Sequence, residues 1–167
     1  MKFAFADPPY PGCAHRYPEK QEVDHVQLIR QIETYDGWAL STASTTLQYV
    51  LDLCPKDVRI AAWVKPFCSF KPGVNPAYAW EPVIWKSSRK RTREQPTVRD
   101  WVSSSITLQR GLVGAKPDPF CYWLFELLNI QPGDSLDDVF PGTRAVSRTF
   151  AQWIAARGMW VESEVPA

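Results

Sequence analysis

The sequence predicts an α/β fold built on a doubly wound, mostly parallel sheet. Two observations carry this. Short apolar runs of strand length recur at residues 2–6, 38–40, 58–64 and 135–140. Segments with apolar residues at helical spacing lie between and after them, at 22–35, 44–54, 119–128 and 143–157. Strands that alternate with helices build parallel sheets through crossover connections, and ligands collect above the carboxyl ends of the strands.

Each element has its own signal. Phe3-Ala4-Phe5-Ala6 is the first strand, and Pro8 and Pro9 stop it because neither can donate to a ladder. Asp7 and Tyr10 are thereby set on a stiff loop at a strand's carboxyl end. Residues 11–19, with Pro11, Gly12 and Pro18, continue as loop. Val23, Val26, Ile29 and Ile32 recur at helical spacing, and Asp36-Gly37 ends that helix. Trp38-Ala39-Leu40 is a short buried strand. Ser44 is placed to cap a helix with Leu47, Val50, Leu51 and Cys54 on one face, and Pro55 ends it.

Residues 58–64 form the next strand, and 65–79 a loop rich in Pro and Gly. Residues 80–86 read as a strand that Pro82 sets at a bulge or near an edge. Residues 87–115 are polar, basic and poorly patterned, and mobility is expected there. Pro119 opens a helix with Phe120, Trp123, Leu124 and Leu127 inward. Pro132-Gly133-Asp134 is a turn, 135–140 a strand and 143–157 a helix. Gly158 is expected to stop that helix, with a last strand beginning at 159–161 and Glu162 at its end.

At 167 residues the chain is expected to be one domain, and 45% hydrophobic content supports a core. Eight Trp and 13% aromatic residues suit both a core and base-stacking surfaces. A net charge of +1 excludes nucleic-acid binding by overall charge, so any basic footprint must be local. Lys86, Arg89, Lys90, Arg91, Arg93 and Arg99 offer one; a solvated loop is the plainer account. Segment 65–115 is the expected substrate-recognition segment.

Cys13, Cys54, Cys68 and Cys121 show no Cys-x-x-Cys spacing, and His15 and His25 do not join them as zinc ligands would. No metal site is expected. There is no signal peptide and no run long enough to span a bilayer, so a cytoplasmic protein without membrane partners is expected.

Two further runs fall where chemistry belongs. Asp138-Val139-Phe140-Pro141-Gly142-Thr143 closes a strand and opens a helix, where glycine lets backbone approach a ligand and a helix amino terminus presents N–H groups. Upstream, Lys116-Pro117 leads into the helix at Pro119, and a lysine acts there as a point charge.

Together these runs resemble the amino-group methyltransferases. Asp7-Pro8-Pro9-Tyr10 is similar to their catalytic tetrapeptide. Asp138, Phe140 and Gly142 match their Asp-x-Phe-x-Gly-Ser-Gly cofactor pattern, with Thr143 in place of the serine, and Lys116-Pro117 resembles their Lys-Pro motif. The order, catalytic loop first and cofactor loop late, is that of the permuted, β-class adenine-specific DNA methyltransferases. It is also that of the messenger-RNA adenosine methyltransferases, which Trp63-Val64-Lys65 and Glu81 resemble further.

The resemblance implies a Rossmann-like methyltransferase fold that uses S-adenosylmethionine to methylate the exocyclic amine of adenine in DNA. Asp7, Pro8, Pro9 and Tyr10 would be catalytic. Asp7, Lys116, Asp138, Phe140, Gly142, Thr143 and Glu162 (or Glu164) would hold the cofactor. Tyr10, Trp63, Lys65, Glu81, Arg89, Lys90 and Arg91 would meet the substrate. RNA as acceptor, and an inactive nucleic-acid-binding subunit, are the alternatives.

Two departures bear on activity. Arg144 stands where the family has its final glycine, and one edge strand of the usual seven has no candidate. A homo- or hetero-oligomer that completes the sheet would account for the second.

Overall fold

A computed structural model describes residues 1–16, 20–66, 73–106 and 115–163. The order of elements is β1 (Lys2–Ala6), α1 (His25–Ile32), β2 (Gly37–Ser41), α2 (Leu47–Leu53), β3 (Arg59–Val64), β4 (Trp80–Ser87), β5 (Trp101–Ser103), α3 (Asp118–Leu127), β6 (Ser135–Asp138) and α4 (Ala145–Ser163). Among the described residues the sheet has six strands in the order β5-β3-β4-β2-β1-β6. β4 runs antiparallel to β2 and β3, and the remaining pairs are parallel.

The alternation Phe-Ala-Phe-Ala in β1 explains why this strand is central. Phe3 and Phe5 point to the face covered by α3 and α4, and Ala4 and Ala6 to the face covered by α1 and α2. The register sets large against small: Phe3 opposite Gly37, Ala4 opposite Trp38, Phe5 opposite Ala39 and Ala6 opposite Leu40. All eight of these residues are buried. Phe3 and Phe5 each contribute roughly 1.5–3 kcal/mol of burial.

Several sequence expectations are corrected by tertiary context. Pro82 does not mark an edge, because β4 lies inside the sheet, paired with both β2 and β3. The Pro82 carbonyl accepts from the Thr42 amide at 3.1 Å, just past the end of β2. Backbone N and O of one strand residue point the same way, so the missing N–H falls where β2 has already ended. α1 is shorter than expected, since Asp24 caps it through the amides of Val26 and Gln27. Gly37 opens β2 rather than closing a helix. Ser44 does not cap α2; Thr46 holds that position, its hydroxyl donating back to the Ala43 carbonyl rather than capping the helix.

The basic segment is tied down over much of its described length. Arg89 pairs with Asp134, Arg91 with Glu126, and Gln95 with Asn129, and the segment contributes β5. Residues 107–114 and 67–72 lie outside the described residues, and Cys68 with them. No strand begins at 159–161: α4 continues to Ser163. Gly158 follows Ala155, Ala156 and Arg157, and one glycine costs a helix only about 1 kcal/mol, which strong neighbours absorb.

Two stability outcomes follow. A Cβ on Gly37 would meet the Phe3 ring at 2.9 Å and the Lys86 carbonyl at 3.0 Å. Gly37→Ala should therefore destabilise by about 1–3 kcal/mol in urea titration. Asp134 accepts from Arg89, the Met1 amino group and the Gln131 amide, and despite burial its carboxyl is lowered from 3.8 to about 2. A lowered folded value stabilises above the unfolded value and is lost as pH falls towards 2. Asp134→Asn should cost roughly 2 kcal/mol at neutral pH, and its difference from the parent should vanish between about pH 4 and 2.

Candidate active site

The carboxyl ends of β1, β3 and β6 and the start of β4 converge on one rim of the sheet. Asp7 follows β1 directly, with Pro8 buried behind it and Pro9 and Tyr10 half-buried. The loop closes as the Cys13 amide donates to the Tyr10 carbonyl at 2.8 Å, with Gly12 at φ +77°. Glu22, outside any motif, accepts from the amides of Gly12 and Ala14, both at 3.3 Å. It anchors the loop from the approach to α1.

Lys116 brings the distant parts together. It is only 6% exposed, and its Nζ lies 2.6 Å from Asp7 Oδ2 and 3.8 Å from Glu81 Oε2. Lys65 pairs with the other Glu81 oxygen. The Trp63 ring lies 4.7 Å from the Lys65 ammonium and 5.4 Å from that of Lys116, and the Phe120 ring 5.8 Å from the latter. A buried ammonium is tolerable only with such compensation.

Trp63 itself is 3% exposed, and its indole N–H donates to the Ser104 carbonyl at 2.9 Å. It is a wall behind two lysines rather than an open surface for a base. Burial raises the carboxyl of Glu81, but Lys116, Lys65 and a hydrogen bond from Tyr10 outweigh it, and the net shift is downward. Burial raises that of Asp7 too, and there Lys116 offsets only part of it while Glu81 adds to it, so Asp7 ends above the usual range. One site thus holds a firmly ionised acid beside a more basic one.

Asp138 ends β6 and accepts from the Ser147 hydroxyl at 3.0 Å. Burial pushes its carboxyl up against those Ser147 hydrogen bonds. Asp7, Lys116, Asp138, Phe140, Gly142 and Thr143 line one concavity of about 90 Å³, together with Phe5 and Val146. A buried ammonium beside two carboxylates suits a small zwitterion, such as the amino-acid end of a larger cofactor. The volume suits that end alone, since whole small-molecule pockets run to about 300 Å³ and more. Phe5, Val146, Ser147 and Glu22 were not singled out in the sequence. They carry no motif, and only the folded chain brings them to the rim.

Gly142 has φ +41° and Arg144 φ +57°. The position where the resembled pattern has glycine is therefore one whose backbone favours glycine. Arg144 adopts it at a cost and turns its side chain to solvent.

Not every expected residue joins this rim. Arg89, Lys90 and Arg91 follow the end of antiparallel β4, at the opposite end of the sheet, and β1 alone spans roughly 16 Å. They line a separate cleft of about 570 Å³ with Arg59, Trp85 and Asp100. Glu162 lies in the last turn of α4, not at a strand end, and Glu164 falls outside the described residues. The described His, Cys, Asp and Glu residues form no group that could hold a metal ion, and no helix among them is long and apolar enough to cross a membrane.

The sheet order with its single antiparallel strand, and an acid-bearing loop beside a glycine loop, define the Rossmann-like methyltransferase fold. No family model matches the chain, and no curated protein matches its sequence. Solved structures do match in fold. One is the crystal structure of the M1.HpyAVI-SAM complex, at 14% identity and a TM-score of 0.58, over 92% of this chain and 78% of that one. Another, of M1.HpyAVI, matches at 12% identity and a TM-score of 0.58, over 92% and 76%.

Arg144→Gly should relieve the left-handed backbone. Thermal or urea denaturation should show the variant more stable by up to about 1 kcal/mol, because glycine's greater unfolded-state entropy offsets part of the gain.

Proposed function

We propose that the chain is an S-adenosylmethionine-dependent methyltransferase acting on the exocyclic amino group of adenine in DNA. The observation that carries this is the convergence of the Asp7 loop, Lys116 and the Gly142 loop on one concavity. Adenine, rather than cytosine, is supported by the Asp-led tetrapeptide. DNA is supported by the resemblance to the small permuted enzymes.

When bound, S-adenosylmethionine supplies an electrophilic methyl group on a sulfonium. Lys116 would hold its carboxylate, and Asp7 and Asp138, which line the same concavity, would hold its ammonium. An aromatic amine is a weak nucleophile because its lone pair is delocalised into the ring. Asp7 would accept one amine hydrogen and the Pro8 carbonyl another, localising the lone pair on nitrogen and aiming it in line. Pro8 and Pro9 have no N–H, so the loop presents acceptors. Asp7 would then take up the proton that the amine nitrogen sheds on methylation, a role its raised basicity suits. Tyr10 would flank a base taken out of its stack. β6 is one of the two edge strands among the described residues, and a second subunit beside it would extend the sheet.

Asp7→Ala should lower methyl transfer by roughly 10²–10⁴-fold while binding the cofactor within several-fold of the parent. Labelled-methyl incorporation into double- and single-stranded DNA and RNA, with calorimetry for the cofactor, checks both. Parental turnover in the variant would refute the assigned mechanism, and label on cytosine would refute the acceptor.

A further inference from the structure

We infer that Lys116 couples the two halves of the reaction: it occupies Asp7 until the carboxylate of the cofactor draws it away, so acceptor adenine binds well only after the cofactor. This deepens the methyltransferase reading and rests on it. Lys116 is a positioning residue here, acting on the acceptor through Asp7.

The geometry gives one buried cation more carboxylates than it can serve. Its Nζ is 2.6 Å from Asp7 Oδ2 and 3.8 Å from Glu81 Oε2. Lys65 serves Oε1 of Glu81, but Oε2, the oxygen that faces Lys116, is buried with no hydrogen bond, so Glu81 is a second claimant on the same ammonium. The ammonium cannot retreat to water, since its side chain is 5% exposed and lies against Trp63 and Phe120. Asp7 and Glu81 are anions within its reach.

Lys116 and Asp7 both line the concavity at the Gly142 loop, so a carboxylate placed there becomes a third claimant at short range. In a dry site a small displacement of a charge changes its interactions strongly. As the ammonium turns toward that carboxylate, Asp7 Oδ2 loses its strongest donor and becomes available to the amine. By linkage the effect is reciprocal: an acceptor on Asp7 must tighten the carboxylate-bearing ligand by the same factor.

The test uses the full chain, the cofactor product and an analogue of that product. S-Adenosylhomocysteine carries the carboxylate and no sulfonium, and its decarboxylated analogue carries neither. Binding of a fluorescent single-stranded oligonucleotide with one adenine is measured by anisotropy, alone and with each ligand at saturation. S-Adenosylhomocysteine should tighten the oligonucleotide by roughly tenfold, within the usual range of coupling, and the decarboxylated analogue should leave it unchanged. Lys116→Met should abolish the difference between the two ligands, and Lys116→Arg should restore it. Thermal melting checks that each variant folds; if Lys116→Met does not, the comparison of ligands on the parent chain decides alone. Equal effects of the two ligands, or coupling that survives Lys116→Met, would overturn the inference and leave the methyltransferase reading standing. No binding of S-adenosylhomocysteine by calorimetry would overturn both.

Discussion

β1 lies between β2 and β6, and the complementarity of its side chains with those of β2 positions everything above it. Phe3 and Phe5 fill one face beside Gly37 and Ala39, while Ala4 and Ala6 make room on the other for Trp38 and Leu40. A slip of one residue would set Phe against Trp on one face and leave Ala against Ala on the other, so the register is strongly specified. The same strand pairs with β6 from Lys2↔Ser135 to Phe5↔Asp138. That register sets Asp138 level with Phe5, two residues before Asp7. Packing at the centre of the sheet thus sets the spacing of the two acids at its rim.

At that rim the energetics are those of charges with little water. Lys65, Lys116, Asp7 and Glu81 balance in formal charge, but not evenly. Glu81 feels two ammonium groups and a tyrosine hydroxyl, whereas Asp7 is paired with Lys116 and feels Lys65 only at longer range. The inequality separates the two carboxyls in basicity, leaving Glu81 as the fixed counter-ion and Asp7 as the group able to change partners. Trp63 and Phe120 supply the apolar wall beside these charges.

The other end of the sheet shows how tertiary context pairs off part of a basic run. Lys86, Arg89 and Arg91 read as a basic run in sequence. In the fold Lys86 meets Glu33 and Asp57, Arg89 meets Asp134, and Arg91 meets Glu126. Every one of those acids comes from a different stretch of chain. The run therefore locks a long connection onto the sheet, and the Arg89 guanidinium also lies 5.7 Å over the Phe3 ring. Pairing reduces the field of these three cations, while Lys90 and Arg93 of the same run are exposed.

The sequence by itself determined the α/β class, the strands at β1, β2, β3 and β4, the rigid acidic loop at Asp7 and the glycine loop at Gly142. Those features are local: alternation, proline's missing donor and glycine's backbone freedom act within a few residues. The Lys-Pro run was visible too, but not that its ammonium rests on Asp7, more than a hundred positions away. Only the tertiary structure decided which cations face which acids, that Pro82 sits inside the sheet, that Trp63 is a wall, and that α4 continues through Gly158. Those outcomes depend on contacts between segments remote in sequence, and a pattern read along one segment carries no information about the charge or surface that will be packed against it.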